Sequence, residues 1–235
     1  MPNPEGNDGN RSNSFARLLG ELQYIANTTR PNISYVVNRL ASYTANPSLQ
    51  HTTAIKEILQ YLAGTQNLSI VYKANTEYPD FIGYTDASYG NANNHKSISG
   101  YVFIASSGVI TWSSKKQLTK ALSSTEAEYI AMSESAREAC WLQSLHMELS
   151  ILETNALMQI HGDNEGSIVM AKNPVFHKKV KHIAIRWHWV CDLVQDTVID
   201  FESVHDLEQT ADILTKVLLG FKHKKHVKEM GLVSA

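Results

Sequence analysis

The sequence predicts an α/β fold, a mixed five-stranded sheet flanked by helices and preceded by a small helical segment, and three observations carry that prediction. Apolar residues recur at helical spacing from Ser14 to about Gly64. From Phe81 to Ser113 the pattern changes to short stretches rich in β-branched and aromatic residues, divided by turn-forming segments, as in successive antiparallel strands. Beyond Ser124, helical and strand patterns alternate.

In chain order, residues 1–13 are polar and rich in Gly, Pro and Asn, lack the apolar core of a signal peptide, and are expected to form a disordered tail. Phe15, Leu18, Leu19, Leu22 and Ile25 mark a first helix with Ser14 as its N-cap. Thr29-Arg30-Pro31-Asn32-Ile33 interrupts it before a second helix through Val36, Val37, Leu40 and Tyr43. After Asn46-Pro47-Ser48 a third carries Ile55, Ile58, Leu59 and Leu62 and ends at Gly64. Strands follow over Phe81–Asp86, Ser99–Ala105 and Val109–Ser113, with Gly108 marking the tight connection between the last two. Then come a helix from Ser124 to about Leu149, a strand from Leu157 to His161, and a helix from Asn164 to about Lys172. After the Asn173-Pro174 break, a helix from about Lys181 to Val194, a strand from Val198 to Val204 and a short helix from about Leu207 to Lys216 complete the pattern. The expected organisation is a disordered tail (1–13), a helical segment (14–76), an α/β domain (77–218) and a basic C-terminal tail (219–235). Within that tail, His223-x-x-His226 has metal-like spacing but reads as part of a charged, disordered end.

Composition narrows the function classes. With 43% hydrophobic residues, 19% charged and a formal net charge of −2, the 235 residues read as an ordinary globular chain. A nucleic-acid partner therefore has to be met by a local basic patch. Cys140 and Cys191, the only cysteines, lack CxxC spacing, which argues against a disulfide framework or structural zinc and fits a reducing, intracellular setting. No apolar run approaches the roughly 18 residues of a membrane span, so no membrane partner is expected.

Four acids fall where separate elements can bring them to one point. Asp86 ends the strand Phe81-Ile82-Gly83-Tyr84-Thr85-Asp86, sharing a face with Tyr84 and Ile82. Asp163 closes the strand Met158-Gln159-Ile160-His161-Gly162. Glu126 and Glu128 lie about 200° apart on one helix, so only one of them can face the site. Ser123-x-x-Glu126 is a capping-box pattern, which leaves Glu128, on the face of Ala131 and Ser135, for the site. Asp206-x-x-Gln209 likewise reads as a cap and leaves Asp212 free. Other roles stand beside these: Asp86 as a turn former before Ser88-Tyr89-Gly90, an N-cap role at Asp163-Asn164, and a competing box Thr125-x-x-Glu128. Carboxylates on separate elements suit magnesium, which prefers oxygen ligands, and a pair of such ions roughly 3.5–4 Å apart suits phosphodiester hydrolysis. The pattern points to a metal-dependent nuclease.

The motifs Tyr84-Thr85-Asp86-Ala87-Ser88-Tyr89-Gly90, Ser99-Gly100-Tyr101-Val102-Phe103, Ser113-Ser114-Lys115-Lys116-Gln117, Ala121 to Ala131 and Ala211-Asp212-Ile213-Leu214-Thr215-Lys216 resemble, in serial order, the ribonuclease H domain of Ty1/copia-type retrotransposon polyproteins. Leu19-Gly20-Glu21-Leu22-Gln23-Tyr24-Ile25-Ala26, Thr29-Arg30-Pro31-Asn32-Ile33 and Leu62-Ala63-Gly64-Thr65 resemble the last, thumb-like helices of the reverse transcriptase in those polyproteins. The resemblance implies a ribonuclease H-like fold, with two Mg2+ ions, replaceable by Mn2+, held by Asp86, Glu128, Asp163 and Asp212. It implies cleavage of the RNA strand of an RNA/DNA hybrid, other parts of a reverse transcriptase or Pol polyprotein as partners, and a place in the cytoplasm, a virus-like particle or the nucleus. The polymerase's paired-aspartate strand is missing, so no polymerase activity is expected. Two positions depart from the family pattern: Cys191 stands where a basic residue is usual, and Gly220-Phe221 replaces a Pro-bearing turn.

Substrate contacts are expected at Ser88, Lys115, Lys116, Asn164, Lys181 and His182, and His205 is a candidate proton shuttle beside its plain reading as a loop histidine. Phe176 to His182 and Arg186-Trp187-His188-Trp189 mix cations and aromatics, either to track a hybrid's backbone or as a solvated helix with a tryptophan in the core. Two other functions fit the same residues: a catalytically silent, hybrid-binding remnant, and a four-carboxylate exonuclease working from a free end.

Overall fold

The structure, a computed structural model, describes residues 8–74, 81–149, 157–173 and 184–234. Helices α1 (Asp8–Thr28), α2 (Ser34–Ala41) and α3 (Leu49–Gly64) pack around Phe15, Leu19, Leu22, Val37, Leu40, Ile55 and Ile58. Helix α1 starts ahead of Ser14, which lies inside it and is not its N-cap. Once the apolar stripe from Phe15 onward fixes a helix, each added residue gains a hydrogen bond, so residues 8–13 of the expected tail join it, while residues 1–7 lie outside the described residues.

A short strand β1 (Leu68–Ile70) follows, and then the strands β2 (Ile82–Ser88), β3 (Ile98–Ala105) and β4 (Gly108–Lys116). Helix α4 (Ser124–Glu148), strand β5 (Met158–Gly162), helices α5 (Glu165–Lys172) and α6 (Ala184–Gln195) and strand β6 (Ile199–Ser203) come next. The sheet order is β4-β3-β2-β5-β6, with β2–β3 and β3–β4 antiparallel and β2–β5 and β5–β6 parallel. This is the ribonuclease H-like fold that the motifs imply. Helices α4, α5 and α6 cover one face around Phe103, Tyr129, Met132, Leu142, Ile160 and Phe201.

The opposite face is covered by the chain's end. Helix α7 (Gly220–Glu229) and strand β7 (Leu232–Ser234) stand where a disordered basic tail was expected. Val227, Met230 and Leu232 are buried there with Val102, Val109, Ile213 and Leu214, and β7 pairs antiparallel with β1. Three apolar residues among lysines are enough to anchor the segment, but too few to stand out as a periodic pattern.

Two local features also differ from expectation. The short helix over Leu207 to Lys216 is a pair of 3-10 turns, Asp206–Glu208 and Thr210–Leu214. The β3–β4 turn is made by Ser106 and Ser107, both at positive φ, rather than by Gly108. Gly108 instead makes room: a Cβ there would lie 2.6 Å from the Tyr72 ring, whose hydroxyl donates to Val109 O at 2.7 Å.

The helical module rests on the sheet. Trp112 Nε1 donates to Ala26 O and Asn38 Nδ2 to Ser114 O, each at 2.8 Å. The expected boundary at residues 76/77 falls outside the described residues. Among the described residues no helix is long and apolar enough to cross a membrane.

Candidate metal centre

Strands β2 and β5 are parallel, with Tyr84 opposite His161, so their carboxyl ends finish side by side, the edge where open α/β sheets hold ligands. Asp86 lies near the end of β2 and Asp163 is the residue after β5. Asp212 enters from the Thr210–Leu214 turn, and one oxygen from each of Asp86, Asp163 and Asp212 lies within 4.8 Å of the other two. Glu128, buried in the second turn of α4, accepts a hydrogen bond from the Ala87 backbone and feels the charges of Asp86 and Asp163. Its neighbour Glu126 does the capping: Ser123 Oγ accepts from Glu126 N at 3.1 Å, and Glu126 Oε2 accepts from Leu122 N at 2.8 Å. At the start of α5 the cap is Asn164, whose Oδ1 accepts from Ser167 N at 2.9 Å, so the Asp163 carboxylate has no capping role.

Residues that the sequence did not single out hold the Asp212 turn against the sheet. Gln209 Nε2 donates to Thr85 O at 3.1 Å while its Oε1 accepts from Ala211 N at 3.3 Å, tying β2 to the turn. The Thr215 hydroxyl donates to the Asp86 carboxylate. Lys216 Nζ lies 2.8 Å from Asp212 Oδ1 and 3.8 Å from Asp86 Oδ1. Lys222 Nζ, from α7, lies 2.6 Å from Asp212 Oδ2 and 3.0 Å from Asp206 Oδ2. Asp206 is therefore an ion-pair partner and not the expected cap; His205 and Gln209 cap the two 3-10 turns. The i, i+3 and i+4 spacing of Asp212, Thr215 and Lys216 was a readable sign, whereas nothing local marks Lys222.

Electrostatically the cluster is under tension. Burial, with the Asp212 and Asp163 charges, pushes Asp86 up to about 7 against the pull of Lys216 and Thr215. Burial, with Asp86 and Asp163, pushes Glu128 up to about 10. Burial also raises Asp163. Burial works against the Lys216 charge, but Asp86, Asp212 and Asp163 outweigh it and push its ammonium up. Asp212 Oδ1 is buried, with the Lys216 ammonium 2.8 Å away as its partner among the described residues. Carboxylate oxygens that converge from separate elements, crowded by burial and by one another, are a donor set that fits a hard divalent cation.

The remaining expected contacts are scattered around this edge. Ser88 ends β2 and its Oγ accepts from Asn91 Nδ2 at 3.0 Å. Lys115 and Lys116 are exposed at the end of β4, and His205 is exposed with its Nδ1 accepting from Leu207 N at 3.2 Å. Lys181, His182 and the segment from Phe176 lie outside the described residues. In α6, Trp187 belongs to the core while Arg186 and Trp189 are exposed. His226 is buried against Glu229 at 2.7 Å and His223 sits 3.4 Å from Asn32 O, so the tail histidines serve packing.

No protein-family model matches the chain. It is 39% identical over 219 residues, 93% of its length, to the retrovirus-related Pol polyprotein from transposon RE1 of Arabidopsis thaliana. It is 37% identical over 205 residues, 87% of its length, to the retrovirus-related Pol polyprotein from transposon TNT 1-94 of Nicotiana tabacum. The chain spans 15% of the length of each of these relatives. Among solved structures, the foamy viral protease-reverse transcriptase in complex with RNA/DNA hybrid aligns with 88% of this chain and 26% of its own at a TM-score of 0.55 and 15% identity, a likeness of fold.

Proposed function

The chain belongs to the Ty1/copia-type retrotransposon Pol polyprotein family, and from that premise we propose that it is a ribonuclease H, a divalent-metal-dependent endonuclease that hydrolyses the RNA strand of an RNA/DNA hybrid. The observation that supports this best is the meeting of Asp86, Asp163 and Asp212, with Glu128 beside them, at the carboxyl ends of two parallel strands. In this reading the four acids hold two Mg2+ ions, for which Mn2+ can substitute. Such a pair supplies an activated water and stabilisation of the leaving oxygen.

The chain's own residues do the rest. Thr215 and Gln209 keep Asp86 and the Asp212 turn in register. Ser88, Lys115, Lys116 and Asn164 lie toward the edge where a backbone would run, and Lys181 and His182, outside the described residues, are proposed as further contacts by sequence; a hybrid is read through backbone shape and 2′-hydroxyls. In this reading His205, which precedes the 3-10 turns leading to Asp212, is the candidate proton shuttle. Other parts of a Pol polyprotein are the partners that this family implies.

The test is an end-blocked, internally labelled RNA/DNA hybrid incubated with purified protein and Mg2+, then with chelator. Internal cleavage that stops with chelator is the expected result. Survival of the blocked hybrid alongside digestion of an unblocked one means an exonuclease, and binding without cleavage in either means a silent remnant. Primer extension is expected to be undetectable.

A further inference from the structure

The two oxygens of Asp212 are not equivalent. Oδ2 is taken by Lys222 at 2.6 Å, whereas Oδ1 lies 2.8 Å from the more exposed ammonium of Lys216, its ion-pair partner among the described residues. Lys222 comes from outside the α/β core, on α7, and its side chain is 12% exposed against 35% for Lys216. It is also tied at 3.0 Å to Asp206, on the 3-10 turn before the one that carries Asp212. Helix α7 grips that stretch at further points: Thr210 Oγ1 donates to Glu229 Oε2 at 3.1 Å, and Lys225 Nζ donates to Leu207 O at 2.6 Å. On its other side α7 is fixed to the helical module through His223 against Asn32 and through the pairing of β7 with β1.

We propose that Lys222 is a positioning residue of the metal centre, holding Asp212 by Oδ2 so that Oδ1 is presented to a divalent cation, and that α7 is the arm that carries it there. Lys216, more exposed and bonded only within the cluster, is the ammonium that moves aside when a cation enters. Lys222, anchored by two carboxylates on a helix whose His226 and Val227 are buried, stays in place. Partners that orient a ligating carboxylate are worth about 10- to 100-fold in metal affinity when removed. A group that merely neutralised charge would do the opposite, since deleting a cation beside a ligand strengthens its attraction for another.

This inference rests on the metal-centre reading, and titration of the full-length chain with Mn2+, followed by calorimetry, separates the two. Lys222→Met and Lys222→Gln are expected to bind Mn2+ about 10- to 100-fold more weakly than the unaltered chain, with circular dichroism unchanged. Lys222→Arg, which keeps a donor and the charge, is expected to recover much of the loss. Equal affinity in the Met and Gln variants would make Lys222 a packing residue, and tighter binding would make it a competitor of the metal; either overturns the proposal. An unaltered chain that binds no Mn2+ would instead overturn the metal-centre reading and the positioning role with it.

Discussion

Asp86 and Gly100 face each other across the β2–β3 ladder, and the bare Cα of Gly100 is what lets the Asp212 turn lie against the sheet beside Asp86. A Cβ at Gly100 would stand 2.7 Å from Thr215 Cγ2 and 2.9 Å from Leu214 Cβ. Thr215 in turn donates to the Asp86 carboxylate, and Asp212 is three residues before it. Strand register, a glycine and a hydroxyl thus set the spacing of two acids that are far apart in sequence.

Gly100→Ala is therefore expected to destabilise the fold by about 1–3 kcal/mol, the usual cost of forcing a methyl into a packed interface. It should also weaken Mn2+ binding, because relieving the contact moves Thr215 and Asp212 away from Asp86. Thermal unfolding and a Mn2+ titration check both parts; unchanged values in the two assays would show that the turn yields without disturbing the acids.

Much of this was legible in the sequence because it rests on local patterns. The strands and helices of the sheet domain carry strong periodicity, and Glu126 separates from Glu128 through its capping box. The same reasoning failed at Asp206, whose partner is Lys222, 16 residues away on an element with little apolar pattern. The roles of Gly100 and Gln209 at the site were silent for a related reason: each acts through a neighbour fixed only by tertiary packing. Helix α7 and strand β7 were missed because what holds them is burial of Val227, Met230 and Leu232 against a distant strand.

The two glutamates of α4 give a paired test. Glu126→Gln removes a charge from the cap at Leu122 and is expected to cost at most about 1 kcal/mol while cleavage persists. Glu128→Gln is expected to abolish cleavage and leave the fold in place. A dead Glu126 variant beside an active Glu128 variant would reverse the assignment.

The helical module supplies partners that the sheet domain lacks alone. A chain reduced to residues 77–235 loses β1, the Ala26 and Ser114 links, and the Asn32 contact of α7. It is expected to keep a cooperative transition from the sheet core but to melt at a lower temperature than the full chain, with α7 exchanging its amide hydrogens faster. Equal melting temperatures and equal protection in α7 would show that the sequence-based boundary marks an autonomous unit.

Asp163→Asn keeps size and hydrogen-bonding capacity and removes one charge from the cluster. Hybrid cleavage should fall to background, with the far-ultraviolet circular dichroism spectrum unchanged. Without metal the variant should be as stable as the unaltered chain or slightly more so, since burial and its acidic neighbours already disfavour the Asp163 charge. Normal cleavage by this variant would remove the two-metal reading.

The same tension fixes the sign of the pH dependence. Asp86 is raised to about 7 and Glu128 to about 10, both above the ordinary carboxylate range. Between that range and these values the metal-free folded state holds protons that the unfolded chain has released, so stability falls as pH rises. The stabilisation is fully present in acid, is lost through about pH 7 as Asp86 ionises, and is lost further toward about pH 10 as Glu128 follows. A divalent cation reverses the balance by favouring the ionised acids. The metal-free melting temperature is therefore expected to drop from about pH 6 to about pH 8, and saturating Mg2+ to flatten or invert that slope. A metal-free chain whose stability rose over the same interval would mean that Asp86 and Glu128 are not the buried, mutually repelling pair on which the site depends.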